Sequence, residues 1–366
     1  MIPYLIAKQL VLRMAGAAAL SFLIVFLLAP RFIRFLVRKK LGDRPEFNNA
    51  KLNEITRHKS ATPTMGGALI ALAILVGTLI FADLANFYVR MSLVVLIWLA
   101  SLGGFDDWIK LRRTAGKSRD GLEMWEKILF QIGLAVLIAV FASYYGSESA
   151  YSDYRGQHIN AVQHFYLPFR AAPIALAPLA FVLLTAITMV GSSNAVNLTD
   201  GMDGLASGCM LIVAGVFLVL AWVAGVREWA NYMHLPYVPN AQELAIVCAA
   251  IIGACLGFLW YNCNPAQVFM GDTGSLPLGG LIGYVAVVTR QETMLLIAGG
   301  VFVMEAVSVI LQVVYFRLSH GKRIFRCAPV HHHFHLGGWS EPKVVVRFWL
   351  LCFIFAALAL ATLKLR

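Results

Sequence analysis

Five aspartates stand where long apolar runs meet polar segments. Asp106 and Asp107 end one apolar run (LGGFDDW), Asp200 and Asp203 lie in NAVNLTDGMDG, and Asp272 lies in FMGDTGS. A single acid in such a place is typical of a helix end, but five of them together indicate a site. Adjacent acids on a helix point in different directions, so one can face the chemistry while the other orients or caps a neighbour. Clustered carboxylates suit a hard, oxygen-seeking cation such as Mg²⁺, which usually accompanies a phosphorylated substrate.

Other residues of the chain suit phosphate oxygens. Lys59 precedes the segment 61–67 (ATPTMGG), in which Thr64 offers a hydroxyl and the glycines offer backbone N–H groups at the start of a helix. Lys110 follows the paired acids by about one helical turn, and Lys127 opens the next apolar run. Alternatives stay open, because the glycines could serve close helix packing and each lysine could anchor a helix at the membrane surface.

The last polar loop carries three consecutive histidines, His331–His333, in CAPVHHHFHLGGWSEPK. Consecutive residues rarely present all their rings to one ion, so the run favours hydrogen-bond donors or a proton carrier beside a diphosphate over a zinc site. Glu305 lies inside an apolar run, where an acid is costly unless it is paired or turned inward. Asn262 precedes Pro265, which cannot continue a helix. The chain must therefore loop before Asp272, whose carboxylate we expect to be free of helix packing.

The composition excludes a soluble protein. Of 366 residues, 60% are hydrophobic and 13% are charged, and the mean hydropathy is +0.74, whereas a soluble domain is roughly 45–50% apolar and about 25% charged. The elements that position the polar groups must therefore be membrane helices. The formal net charge of +11 then indicates cytoplasmic loops that face anionic lipid, rather than nucleic-acid binding. Six cysteines without a C-x-x-C pair indicate neither a disulfide framework nor a zinc site.

The apolar runs predict the membrane spans. A helix needs about 20 residues to cross about 30 Å of hydrocarbon. The first run is too long for the core of a signal peptide, so we retain it as a span. No repeat or domain boundary stands out, and we expect one all-α integral membrane domain over residues 1–366. The ten predicted spans are 14–36, 65–85, 88–105, 125–146, 172–191, 204–225, 242–262, 275–290, 293–318 and 344–363.

Basic residues divide the loops into two sets. Segments 31–64, 105–127 and 317–347 hold 21 of the 30 Lys and Arg residues, whereas the loops of the opposite side hold five. By the positive-inside rule, we expect the rich segments in the cytoplasm, both termini outside, and the five aspartates on the cytoplasmic face. The outside segment 146–172 contains the aromatic stretch HFYLPF, which predicts an interfacial anchor and a short hairpin.

Five motifs, in order along the ten spans, resemble those of one known family. TPTMGG, GFDDW, NAVNLTDGMDGLASG, NPAQVFMGDTGSL and APVHHHF are similar to those of the phospho-N-acetylmuramoyl-pentapeptide transferases, within the polyprenyl-phosphate hexosamine-1-phosphate transferase superfamily. The resemblance covers residues 14–366. It implies a multi-pass enzyme of the bacterial cytoplasmic (inner) membrane. Such an enzyme transfers phospho-MurNAc-pentapeptide from UDP-MurNAc-pentapeptide to undecaprenyl phosphate with Mg²⁺, forming lipid I and UMP in the first membrane step of peptidoglycan synthesis.

The resemblance assigns roles motif by motif. It implies that Asp106 and Asp107 are active-site acids, that Asp272 is a catalytic residue and the Mg²⁺ ligand, and that His331 is an essential catalytic-site residue. Among the nucleotide-side residues, the aromatic Phe269 is suited to stacking on uracil. The residues expected to bind substrate are Lys59, Thr64, Lys127, Asn197, Leu198, Asp200, Asp203, Asn262, Phe269, His332, His333 and, from its position alone, Lys110.

Several alternatives stay open from the sequence. The nucleophile is either the lipid phosphate or a carboxylate that first forms a phospho-enzyme, and we favour direct attack because a phosphate oxyanion is already ionised. A related UDP-GlcNAc:polyprenyl-phosphate GlcNAc-1-phosphate transferase shares the chemistry, but the HHH run and the tail after it favour the muropeptide enzyme. A secondary transporter would gather polar groups near the bilayer midplane, where only Glu305 is expected. The oligomeric state is open, a homodimer included. Two features depart from the family pattern: His335 replaces an expected acid, and the insertion 146–172 is long.

Overall fold

The computed structural model describes residues 2–39, 59, 62–112, 121–146, 150–152, 158–160, 164–170 and 172–364. Helices dominate this part of the chain, with two short β-hairpins between the fourth and fifth helices. The elements are α1 Ile2–Arg38, α2 Gly67–Phe81, α3 Phe87–Arg112, α4 Met124–Gly146, β1 Ala150–Ser152, β2 His158–Asn160, β3 His164–Phe165, β4 Ile174–Ala175, α5 Pro178–Thr199, α6 Leu205–Gly225, α7 Arg227–Tyr232, α8 Leu244–Asn262 after a 3₁₀ turn Ala241–Glu243, α9 Asp272–Thr289, α10 Glu292–Ala298, α11 Gly300–Leu318, α12 Val330–Leu336 and α13 Glu341–Ala361, which a 3₁₀ turn Thr362–Lys364 follows.

Eight helices among the described residues are long and apolar enough to cross a membrane: α1, α3, α4, α5, α6, α8, α11 and α13. Two further helices match the remaining predicted spans, namely α2, with 15 residues, and α9, with 18. A helix satisfies its backbone hydrogen bonds internally, which is what the interior of a bilayer requires. The prediction of a mostly helical membrane protein is confirmed, while the number of crossings and the sidedness of the termini stay predictions.

Helix α9 lies in the interior, and every residue from Asp272 to Thr289 is buried. Its neighbours α3 and α5 approach it closely because glycines line the contacts. A Cβ at Gly280 would lie 2.0 Å from the Leu99 side chain, and one at Gly279 would lie 2.4 Å from the carbonyl oxygen of Ser192. Because lipid tails are as apolar as the helix surfaces, no hydrophobic driving force brings membrane helices together. Close packing of small residues stabilises such interfaces instead. The helix that carries Asp272 is therefore held on several sides.

Two helices differ from the sequence-based expectation. Helix α1 begins at Ile2 rather than near residue 14 and continues through Pro30. The predicted ninth span is two helices, α10 and α11, because adjacent glycines at 299 and 300 interrupt it and glycine disfavours a helix interior. A Cβ at Gly300 would also lie 2.7 Å from the Phe355 ring, so this glycine lets α13 approach.

The predicted hairpin in the segment 146–172 is confirmed and is one of two. Strand β1 pairs antiparallel with β2, and β3 pairs antiparallel with β4, with Phe165 opposite Ile174. The Thr293 hydroxyl donates a hydrogen bond to the Tyr166 carbonyl oxygen at 2.9 Å, which attaches this segment to α10. Residues 147–149, 153–157, 161–163 and 171 of this segment lie outside the described residues, as do many basic residues of the predicted cytoplasmic loops in 40–58 and 113–120.

Candidate active site

Three aspartates come together where α3 meets the beginning of α9. Asp106 and Asp107 belong to α3, and Asp272 is the first residue of α9. One carboxylate oxygen from each lies within 4.8 Å of the others, and all three residues are buried. Gly103 allows this approach, because a Cβ there would lie 2.1 Å from the carbonyl oxygen of Asp272. The structure thus brings together the three acids that we expect to be catalytic; we call them the acidic cluster.

The two adjacent acids meet different partners, as neighbouring positions on a helix require. Asp107 accepts hydrogen bonds from the N–H of Asp272 at 3.2 Å and from the N–H and hydroxyl of Thr273 at 2.9 and 2.7 Å. Asp106 accepts one from the N–H of Leu122 at 2.7 Å. Asp107 therefore satisfies N–H groups that the start of α9 would otherwise leave free, and it anchors that helix to α3.

Two lysines contact the acidic cluster. Lys110 Nζ lies 2.6 Å from Asp106 Oδ2 and 3.2 Å from Asp272 Oδ2, and Lys127 Nζ lies 2.7 and 2.8 Å from the same two oxygens. The other oxygen of Asp272 accepts a hydrogen bond from Asn197 Nδ2 at 2.7 Å. The expectation that the Asp272 carboxylate is free of helix packing is therefore wrong. Because Asp107 supplies acceptors for the first N–H groups, α9 begins at Asp272 itself.

The acidic cluster has the donor set that a hard divalent cation requires. Mg²⁺ takes oxygen ligands and commonly uses one or two carboxylates, with waters and substrate phosphates completing its shell. Asp106, Asp107 and Asp272 offer only carboxylate oxygens, within reach of one another. The ammonium groups of Lys110 and Lys127 contact two of these oxygens. The acids thus fit a divalent cation, and the lysines are placed for the anionic oxygens that such an ion would also bind.

Lys59 pairs with a different set of acids. Its ammonium group lies 2.6 Å from Asp203 Oδ1 and 2.5 Å from Glu341 Oε1, and it lies 5.9 Å from the centre of the Phe269 ring. The other oxygen of Asp203 accepts a hydrogen bond from Asn264 Nδ2 at 3.0 Å. These contacts join the start of α13 to the two loops that carry Asp203 and Phe269.

Glu341 is absent from the residues that we derived from the sequence. It is the first residue of α13, and besides Lys59 it accepts a hydrogen bond from the N–H of Asp203 at 2.9 Å. A signal was available, since Glu341, like the five aspartates, is an acid where a polar segment meets an apolar run. Pro342 behind it also marks a helix start.

Residues 200–204, which we call the α5–α6 loop, are held by side chains. Asn262 Oδ1 accepts a hydrogen bond from the N–H of Gly204 at 3.0 Å, while its Nδ2 donates to a carbonyl oxygen six residues later. Asp200 directly follows α5, and burial raises its pKa well above the usual range, an effect that the negative charge of Asp272 increases. Leu198, in the last turn of α5, is half-buried. The Asn262 side-chain amide therefore links the backbone of the α5–α6 loop, at Gly204, to the backbone of the segment before α9, at Val268.

The glycines of TPTMGG pair with the chain before Asp272. The N–H of Gly66 donates to the Phe269 carbonyl oxygen at 2.8 Å, and that of Gly67 donates to the Met270 carbonyl oxygen at 2.9 Å. The expectation that these N–H groups bind phosphate is therefore wrong, because they complete a backbone pairing that places α2 beside the start of α9. Thr64, in the same segment, is half-buried.

The three consecutive histidines of α12 have three different environments. His331 is fully buried, and its Nδ1 lies 3.1 Å from Oε2 of Glu305 on α11. Burial lowers the pKa of His332 to about 2, so its ring is neutral near pH 7. His333 is half-buried, and its Nδ1 accepts a hydrogen bond from the N–H of Arg326 at 3.1 Å. His331 and His333 thus meet separate partners, while the ring of His332 lies 4.1 Å from that of His331 between centroids.

Comparison with known proteins agrees with this geometry. The family described as "Glycosyl transferase family 4" matches residues 89–290, which is more than half of the chain and includes the acidic cluster. The phospho-N-acetylmuramoyl-pentapeptide-transferase of Desulfotalea psychrophila is 45% identical over 364 residues, which cover 98% of this chain and 95% of the relative. The protein of the same name from Oleidesulfovibrio alaskensis is 43% identical over 366 residues, again 98% and 95% of the two chains. Since these relatives align over nearly its whole length, the chain belongs to the phospho-N-acetylmuramoyl-pentapeptide transferase family.

Proposed function

We propose that this protein transfers phospho-MurNAc-pentapeptide from UDP-MurNAc-pentapeptide to undecaprenyl phosphate, forming lipid I and UMP. The observation that carries the proposal is the acidic cluster of Asp106, Asp107 and Asp272 with Lys110 and Lys127 in contact with it. Both substrates are anions, so charge repulsion forms a large part of the barrier. A site that combines ammonium groups with acids able to hold a divalent cation lowers such a barrier.

In the reaction, one phosphate bond replaces another. An oxygen of the lipid phosphate bonds to the phosphorus that carries the sugar, and the bond from this phosphorus to the bridging oxygen breaks, so that UMP leaves with the electron pair. We favour this direct attack over a phospho-enzyme. The oxygens of Asp107 accept three hydrogen bonds, and Asp106 is held by two lysines and an N–H group. Carboxylates engaged in this way are poor nucleophiles, which supports attack by the lipid phosphate.

Mg²⁺ is the cofactor we propose, with Asp272 as its ligand. When bound, the ion supplies positive charge that neutralises the diphosphate and stabilises the leaving UMP. Asn197 orients the Asp272 carboxylate through the 2.7 Å hydrogen bond to Oδ1. Lys110 and Lys127 are placed to hold phosphate oxygens in line with the bond that breaks.

We place the nucleotide of the donor beside the α5–α6 loop. Phe269 offers an aromatic face for uracil, and Lys59 lies close to its ring. His331 would support the α5–α6 loop on its buried side, since its ring is buried next to Gly201. The other residues proposed to bind the donor are Thr64, Asn197, Leu198, Asp200, Asp203, Asn262, His332 and His333.

The reaction would take place at the cytoplasmic face of the bacterial inner membrane. The distribution of basic residues supports this side, with 21 of 30 in segments that we assign to the cytoplasm. Whether the protein forms a homodimer stays open.

An assay of substrate choice tests the proposed function. The purified protein is incubated in detergent with undecaprenyl phosphate and Mg²⁺, and UMP release is measured with UDP-MurNAc-pentapeptide or with UDP-GlcNAc. We expect release with the first donor, no comparable release with the second, and release slowed by about 10²-fold or more in the Asp272→Asn variant. Equal or faster release from UDP-GlcNAc would contradict the muropeptide assignment, and folded protein that releases no UMP from either donor would contradict a transferase.

A further inference from the structure

Glu305 is a buried acid within a membrane helix. It lies on α11, a helix of mostly apolar residues, and it is 0% exposed. An ionisable residue in such a place is costly unless it is paired, and it commonly marks function. Glu305 Oε2 lies 3.1 Å from Nδ1 of His331 and 3.5 Å from the backbone N–H of the same residue. One carboxylate oxygen therefore contacts the ring of His331 and accepts a long hydrogen bond from its backbone N–H.

The opposite edge of the His331 ring faces the α5–α6 loop. A Cβ at Gly201 would lie 2.4 Å from Nε2 of His331 and 2.8 Å from Cε1. Only glycine therefore allows the loop and the ring to be this close. Neither ring nitrogen of His331 has a hydrogen-bond partner among the described residues, so the ring supports the loop, and meets Glu305, by packing contact. Asp200 and Asp203 lie on either side of Gly201 in this loop.

The far end of the loop depends on two hydrogen bonds to side chains. The N–H of Asp203 donates to Glu341 Oε1 at 2.9 Å, and the N–H of Gly204 donates to Asn262 Oδ1 at 3.0 Å. These N–H groups stay protected only while the loop keeps its place. Their exchange with solvent is therefore a direct measure of whether the loop is held.

We propose that Glu305 and His331 are a pair of positioning residues: the buried carboxylate holds the imidazole, and the imidazole holds the α5–α6 loop in the conformation that binds the donor. Neither side chain touches substrate. The consequence for binding rests on the function proposed above, in which the nucleotide lies beside this loop. Loss of the pair should then weaken binding of the UDP-linked donor and leave binding of the lipid acceptor unchanged.

Hydrogen–deuterium exchange of the substrate-free protein in detergent tests the positioning by itself. We expect the amides of residues 200–204 to exchange about tenfold faster in Glu305→Gln than in the wild type. The matched control is Glu292→Gln, because Glu292 is also a buried acid, 3.4 Å from Arg290 beyond the far end of α9; there the loop should exchange as in the wild type. Unchanged exchange in Glu305→Gln, or an equal change in the control, would overturn the proposal. If Glu305→Gln does not fold, His331→Asn tests the same contact from its other partner.

Steady-state kinetics test the consequence for binding. We expect the KM for UDP-MurNAc-pentapeptide to rise about tenfold in Glu305→Gln and in His331→Asn, with the KM for undecaprenyl phosphate near the wild-type value. The double variant should be no worse than His331→Asn, because Glu305 acts through the ring. Losses that multiply in the double variant would overturn the pairing. Faster loop exchange with an unchanged KM for the donor would support the positioning and would instead contradict the placement of the donor at this loop.

Discussion

At the scale of single residues, Asp272 tests the metal site most directly. Asp272→Asn keeps an acceptor for Asn197 and the size of the side chain, but it removes the charge that faces Lys110 and Lys127. We expect kcat to fall by about 10²-fold or more, without recovery in excess Mg²⁺, as measured by UMP release over a Mg²⁺ titration. Asp83→Asn, at an exposed acid, should match the wild type. Near-native turnover of Asp272→Asn would remove this residue from the chemistry.

Asp107 combines charge with helix anchoring, and two variants separate these roles. In Asp107→Asn one amide N–H group must face a donor at the start of α9, so we expect a loss of turnover and a loss of about 1–3 kcal/mol of stability. Thr273→Val removes only the hydroxyl that donates to Asp107 at 2.7 Å and leaves the carboxylate charged. It should lower stability but retain most of the turnover. UMP release measures turnover and thermal unfolding measures stability. An equal loss of turnover in the two variants would mean that Asp107 contributes to activity only by anchoring α9.

At the scale of elements, the contact between α3 and α9 depends on one of two adjacent glycines. Gly103→Ala would place a Cβ 2.1 Å from the carbonyl oxygen of Asp272, so the start of α9 would have to move away. We expect a large loss of activity and about 1–3 kcal/mol of destabilisation. At Gly104 a Cβ would meet only the Thr273 side chain at 3.7 Å, so Gly104→Ala should be tolerated. The comparison uses UMP release and thermal unfolding, and similar results for both variants would argue against this close approach as a requirement.

At the scale of the whole molecule, the sidedness of the loops is the prediction that places the site. Basic residues predict that position 322 faces the cytoplasm and position 150 the outside. In a background without the six native cysteines, we expect Ala150→Cys to react with an impermeant thiol reagent in intact cells. Lys322→Cys, at an exposed position, should react only after the cells are permeabilised. Equal labelling of both variants in intact cells, or the reverse pattern, would contradict the topology.

The sequence by itself determined the apolar helices and the five aspartates from which the acidic cluster comes. In a bilayer each backbone polar group must be satisfied within its own helix, so the length and apolarity of a run are enough to predict a span. The same local reasoning identified Asp106, Asp107 and Asp272 together with Asp200 and Asp203, because acids at the ends of apolar runs are costly and rare. It could not tell which three of the five would meet. The break between α10 and α11, the early start of α1 and the short helices α7 and α12 escaped this reasoning. The break coincides with adjacent glycines rather than with a change in hydropathy.

The tertiary structure alone decided which partner each polar group meets. Lys59 pairs with Glu341, 282 residues later in the chain, and Glu305 lies against His331. The N–H groups of Gly66 and Gly67, which the sequence left available for phosphate, are taken by the chain before Asp272. Such pairings follow from how helices that are distant in the chain pack through small residues. No local sequence pattern predicts these pairings, because the two partners become neighbours only through the packing of helices that are distant in the chain.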